Sequence, residues 1–308
     1  MKRYFTLCSC AVLLAAVVYA AHSSEAPLLP GGARGRVTLL FSGDSRGLTE
    51  PVRACACYEK PVAPLGGLPR RASFVRQARQ SGDGVLLLDA GNTLIDPDDP
   101  VVDPAGPRRV ASALGAMGYD AVGLGSAELL AGSGDDGWVA ALGAPLVAVN
   151  LRGANLPEHQ GAVTRAVGDV RVAVLGAAEP SAIPEPLRER LDLTVEPVAA
   201  ALAGRLTQLG PVDLVVVLLQ GTFEEASALA ASLGGVDVIV AGRSDGLLYD
   251  TRAVGSTLVV QALPGGGHVG RLRLEVHDRG RPTVLADERV ALDDSYPDDP
   301  LVSELLGG

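Results

Sequence analysis

RVTLLFSGDSRG (Arg36 to Gly47) is the stretch whose reading decides the fold. Val37 to Phe41 is apolar at every position but Thr38, as expected for a strand covered on both faces. It runs into Gly43-Asp44-Ser45-Arg46-Gly47, a turn of small residues that carries two opposite charges. The same design recurs in LLLDAGNT (Leu86 to Thr93) and GYDAVGLGSAE (Gly118 to Glu128). Working outward, strands are expected at 37–42, 84–90, 121–124, 146–150, 171–176, 213–219 and 236–241. Helices are expected between them, at 68–80, 107–117, 138–142, 198–209 and 223–233. Strands alternating with helices define an α/β protein with mostly parallel pairing. After Asp245 the pattern changes to strands alone, at 247–253, 257–263, 269–277 and 282–292, which should form antiparallel hairpins.

The 308-residue chain is 47% hydrophobic, only 4% aromatic, and has a formal charge of −10. It becomes two units more negative once Lys2 and Arg3 leave with the export signal expected over residues 1–21. That acidity, with no basic stripe, excludes nucleic acid as a partner class. The apolar run in the signal is too short to span a bilayer, so no membrane association is expected after cleavage. A leader is expected at 22–35, one domain at 36–292, and an acidic tail at 293–308. The expected compartment is periplasmic or extracellular.

The three strand-end motifs, their order and their spacing resemble the N-terminal domain of the UshA-like periplasmic 5′-nucleotidases, within the calcineurin-like metallophosphoesterases. The resemblance runs from Arg36 to Leu306 and includes VDVIVAG before Gly242 and TLVVQALPGGGHVGRLRLEV after it. It implies a four-layer αββα sandwich of two mixed sheets, with the family's C-terminal substrate domain absent. It also implies where metals would sit, and there this chain departs from the pattern. Asp44 is retained in the first motif, but Arg46 stands at a histidine. Asn92 replaces the carboxylate that bridges two metals. Ser126 replaces an asparagine ligand, and Ala127 stands at the catalytic histidine. Gln220 stands at the next ligand histidine, and Arg243 and Asp245 replace two more. Two-metal hydrolysis requires a pair of cations holding the attacking and leaving oxygens, and these residues are expected to hold no dinuclear centre and no other cofactor. His22, His159, His268 and His277 fall on no motif position. Arg46 and Arg243 are expected either to pair with Asp44 and Asp245 as a plug or to line an anion pocket, since a guanidinium fork suits phosphate or carboxylate. A hard-cation site of Asp44, Asn92, Glu128 and Asp245 is the remaining alternative.

Two cysteines survive signal cleavage, Cys55 and Cys57, in the loop RACACYEKPVAPLGGLPRRASF (Arg53 to Phe74). This pair is similar to the Cys-x-Cys loop of an UshA-like group in which some members carry selenocysteine. A bridge between residues i and i+2 closes a small, strained ring, which raises its reduction potential. Nearby Arg53, Lys60, Arg70 and Arg71 would favour the thiolate. A redox pair served by an extracytoplasmic partner is therefore expected. An inert loop bridge, pairing with another protein and a soft-metal site stay open. If the chain is an enzyme, thiol-dependent oxidoreduction is expected ahead of metal-dependent phosphoester hydrolysis. A pseudoenzyme that binds an anion, a nucleotide or a partner is the alternative from the binding class.

Overall fold

The structure, a computed structural model, describes residues 32–53, 63–82, 84–98, 103, 105–132, 137–278 and 280–307. The signal segment, nearly all of the leader, and Cys55 with Cys57 lie outside these residues. The chain begins with β1 (Ala33–Ser42), β2 (Pro51–Val52), β3 (Leu65–Gly66), α1 (Leu68–Arg79) and β4 (Gly84–Asp89). Then come α2 (Gly106–Met117), β5 (Ala121–Gly123), α3 (Ser126–Ala131), α4 (Gly137–Leu142), β6 (Leu146–Val147) and β7 (Leu151–Arg152). The middle holds β8 (Ala162–Val167), β9 (Val170–Ala178), α5 (Glu185–Leu191), β10 (Thr194–Val195), α6 (Val198–Leu206) and β11 (Leu214–Gln220). The last part is α7 (Phe223–Ser232), β12 (Val238–Ala241), β13 (Arg252–Val254), β14 (Thr257–Gln261), β15 (His268–His277), β16 (Thr283–Ala291) and α8 (Pro300–Leu306).

Two six-stranded mixed sheets form, ordered β16-β15-β1-β4-β5-β6 and β13-β14-β12-β11-β9-β8. In the first sheet β1, β4, β5 and β6 run parallel and β15 and β16 add antiparallel pairs at one side; in the second the central pairs are parallel and both edge pairs, β13–β14 and β8–β9, are antiparallel. Side chains alternate across a strand, so an all-apolar run feeds two cores at once. Val37, Leu39 and Phe41 join Leu214, Val216 and Leu218 between the sheets. Leu40 and Leu87 face outward against α1 and α2. Val215, Val217 and Leu219 face the opposite way, against α6 and α7. The result is a four-layer α/β sandwich, as the family resemblance implied. Phe74 of α1 is 2% exposed, a burial that contributes about 1.5–3 kcal/mol.

The strands expected through Ala241 and the helices between them are present, with ends moved by a few residues. The C-terminal end differs in two ways. Residues 247–251 do not pair as a strand, because side chains take the backbone groups a ladder would use. Leu247 N donates to Asp245 and Tyr249 N donates to Gln261. The expected antiparallel hairpins do form, β13–β14 in one sheet and β15–β16 in the other. Within the stretch expected as an acidic tail, Asp299 accepts from Val302 N at 3.0 Å and caps α8. Asp299 also pairs with Arg76, tying this segment to α1.

Candidate functional site

The parallel strands of both sheets point their C-terminal ends to one region, and the turns that follow carry the singled-out residues. Asp44 and Arg46 follow β1, Asn92 follows β4, and Ser126 opens α3 after β5. Gln220 ends β11, and Arg243 follows β12. All six line one cavity of about 440 Å³, together with Asp98, Ser181 and Ser244. Asp245 does not line it. Asp245 accepts the Tyr249 hydroxyl at 2.9 Å, and the Tyr249 ring stacks on Phe223 with centroids 4.5 Å apart.

The backbone beneath the cavity is held in an uncommon conformation. Asp44 (φ 49°), Arg46 (φ 53°) and Asn92 (φ 60°) are all left-handed. Such residues persist where the surroundings over-determine them, at about 1–3 kcal/mol each for ordinary side chains. Gly91 makes the second turn possible: at φ 93°, a Cβ there would meet Gly123 O at 2.5 Å.

Three sets of bonds hold these turns. Glu128, fully buried, accepts from Gly125 N at 2.9 Å, Asn92 N at 2.8 Å and Thr93 N at 2.8 Å. Burial pushes its carboxyl above the usual range, against the pull of those donors. Asp89 accepts Gly91 N and Thr93 Oγ1, each at 2.8 Å, and Ser42 Oγ at 2.6 Å. Because Ser42 spends its only proton there, the Tyr119 hydroxyl donates to Ser42 Oγ at 2.9 Å. Arg71, only 1% exposed, completes the chain by donating to Tyr119 at 3.2 Å and to Ser45 Oγ at 3.0 Å.

Within the cavity the polar groups are largely matched to one another. Asn92 Nδ2 donates to Asp44 Oδ1 at 2.6 Å, while Asn92 Oδ1 accepts from Ala127 N at 3.1 Å. Burial raises the Asp44 carboxyl, with Asn92 and the two arginines opposing that rise. Gln220 donates to Ala90 O, and Ser126 Oγ donates to Ala182 O at 2.7 Å. The plug expected from Arg46, Arg243, Asp44 and Asp245 is not the pairing that forms. Arg46 is forked by Asp96 and Asp98 of the turn after β4, which hold its guanidinium above the usual arginine range. Asp44 is already engaged by Asn92, and Asp245 by Tyr249. Arg243, half-buried, donates to Ser181 Oγ at 2.9 Å and has no salt bridge among the described residues. Ser181 in turn donates to Glu225 at 2.7 Å.

Asp96, Asp98 and Ser181 were not singled out in the sequence. The run Asp96-Pro97-Asp98 was the available signal for the first two. No group of three or more His, Cys, Asp or Glu is arranged to hold a metal among the described residues. His159 sits against Pro157 O and His277 against Thr283 Oγ1, both away from the cavity. Glu128 and Asn92 are brought together with Asp44, but Asp245 lies outside, so the four oxygen donors considered for a hard cation do not share one lining.

The sequence and the fold have counterparts among known proteins. Bovine 5′-nucleotidase is 26% identical over 266 residues, covering 77% of this chain and 46% of that protein. The human 5′-nucleotidase is 25% identical over 319 residues, covering 90% and 53%. This chain is a homologue of the 5′-nucleotidases. It spans about half the length of the curated relatives it matches. No family model matches it. Two solved structures from Thermus thermophilus share the fold. A sulfate thiohydrolase in complex with glycerol superposes with a TM-score of 0.71 at 19% identity, covering 90% of this chain and 60% of that one. A 5′-nucleotidase precursor gives 0.70 at 23% identity, covering 88% and 57%. No helix among the described residues is long and apolar enough to cross a membrane.

Proposed function

We propose that this homologue of the 5′-nucleotidases is an exported protein that binds an anionic small molecule at Arg243 without hydrolysing it. The observation that carries the reading is Arg243: a guanidinium lining a cavity at the strand ends, whose partner is the Ser181 hydroxyl and which forms no salt bridge among the described residues. A planar fork with open donors is suited to bidentate recognition of a carboxylate, sulfate or phosphate oxygen pair.

The residues at the relatives' metal positions do not fit a dinuclear centre. Arg46 and Arg243 carry no lone pair for a metal and place positive charge where cations would go. Asn92 presents an amide N–H to Asp44, the one retained carboxylate, and Gln220 spends its amide N–H on a backbone carbonyl. A neutral amide is a poor bridge between two divalent ions. The basic, then apolar, leader (Lys2, Arg3, Cys10 to Val18) supports export.

Calorimetric titration with anions tests the reading. Binding to the wild type and its loss in Arg243→Ala, with unchanged unfolding temperature, is the expected result. Equal binding by both proteins would place the anion elsewhere. The rival redox role rests on Cys55 and Cys57, outside the described residues. It requires an activity that disappears in Cys55→Ser and ignores chelators, and such an activity would displace the binding-protein reading.

A further inference from the structure

Resting on the anion-binding reading, we infer that the cavity is built for a monoanion with an apolar body, an aliphatic or aryl carboxylate, and against dianionic phosphate monoesters. The charges along the lining decide the head group. Arg46 is matched twice over, by Asp96 and Asp98, so it has no charge left for a ligand. Arg243 supplies one positive charge. Asp44, 6% exposed, faces the same cavity with a carboxylate of its own. One guanidinium fork satisfies one carboxylate completely. A second negative charge on the ligand would find Asp44, and no further unmatched cation among the described lining residues, in a partly desolvated space where like charges repel strongly.

The remaining lining decides the body. Pro97, Leu130, Ala182, Pro184, Pro186 and Leu187 contribute to the same cavity. Pro184 and Pro186 flank the start of α5, where Pro184 caps the helix at φ −56°. Proline rings have no rotamer freedom to lose, so they offer apolar contact area at little entropic cost. A volume of about 440 Å³ holds a ligand several carbons long, within the range of small-molecule sites. A bare inorganic anion would leave this apolar lining in contact with water.

The test is calorimetry on the full chain at about pH 8, where both phosphate probes are dianions, with a chelator present, using acetate, butyrate, hexanoate, benzoate, inorganic phosphate and adenosine monophosphate as probes. Affinity is expected to rise about two- to fourfold per methylene from acetate to hexanoate, as burial of each methylene predicts. Hexanoate and benzoate are expected to bind at least about tenfold more tightly than either phosphate probe, the effect of one unmatched charge. Arg243→Met should abolish hexanoate binding, and Leu130→Ser, at a half-buried position, should reduce the dependence on chain length. Tighter binding of phosphate or adenosine monophosphate than hexanoate, or a flat carboxylate series, overturns the monoanion assignment and leaves anion binding at Arg243 standing. Absence of heat with every probe overturns both.

Discussion

Replacing Arg71 with methionine should unfold this protein far more easily than its distance from solvent chemistry implies. Arg71 is 1% exposed and Asp89 is fully buried, and Ser42 joins them: its hydroxyl donates to Asp89 at 2.6 Å and accepts from Arg71 at 3.5 Å. Tyr119 feels both charges, the arginine lowering and the aspartate raising its phenol, while burial raises it most. Methionine preserves the apolar stem but removes the charged donor that Ser42, Tyr119 and Ser45 share. Losing a charged partner from buried hydrogen bonds costs about 1–3 kcal/mol. For a domain of this size that corresponds to a fall of about 2–12 °C in unfolding temperature. Ser45 also loses its Arg71 contact (3.0 Å), so the left-handed turn at Asp44 and Arg46 loses one restraint. The assay is urea unfolding of wild type, Arg71→Met, Asp89→Asn and the double variant. The double variant should be more stable than the sum of the two single losses predicts, by about 1–3 kcal/mol, the coupling expected for residues in one network. A single-variant loss under about 1 kcal/mol, or strict additivity, would refute the idea that Arg71 and Asp89 act as one buried unit.

Other outcomes follow from the same geometry. Asn92→Asp sets two carboxylates against each other where Asn92 now donates to Asp44 at 2.6 Å, so the variant should be less stable at neutral pH and recover in acid, when one of them is protonated. A variant as stable as wild type at neutral pH would contradict the contact. Burial raises the Asp44 carboxyl, so the folded state holds that proton more tightly than the unfolded chain. Its contribution to stability is full below the unfolded pKa and declines as pH rises through the folded value. The stability difference between wild type and Asp44→Asn should therefore shrink or reverse with rising pH, and a difference that grows would overturn the assignment. Thr222 caps α7 reciprocally with Glu225, and Thr222→Ala should cost about 1 kcal/mol in thermal unfolding, with hexanoate binding retained. Gly91→Ala should fail to accumulate as folded protein, since its Cβ would meet Gly123 O at 2.5 Å; wild-type solubility and circular dichroism would show the turn is not constrained as described.

The fold was legible because each strand's two faces write the same message. In β11, Leu214, Val216 and Leu218 go to one core and Val215, Val217 and Leu219 to another, so the run is apolar throughout. The same logic misreads residues 247–251. Leu248 is 78% exposed, and an apolar pair on a loop looks like the start of a strand when only composition is visible. The acids and prolines of residues 293–308 suit a tail, yet within that stretch Asp299 caps α8 and pairs with Arg76. At the site, strand-end turns were legible as positions, since each follows an apolar run. Their partners were not. Arg46 chooses Asp96 and Asp98 over Asp44, and Arg243 reaches Ser181, 62 positions away. Those choices depend on side-chain reach in three dimensions, which spacing along the chain does not encode.

Phosphate release from adenosine monophosphate by the full chain, measured with manganese, cobalt, magnesium, calcium and zinc in turn, tests the central claim most directly. A chain whose strand-end positions hold Arg46, Asn92, Gln220 and Arg243 should release no phosphate above the buffer control with any of them. Release that depends on an added metal and stops with chelator would contradict the account, and would show that Asp44 and its neighbours still assemble a hydrolytic centre.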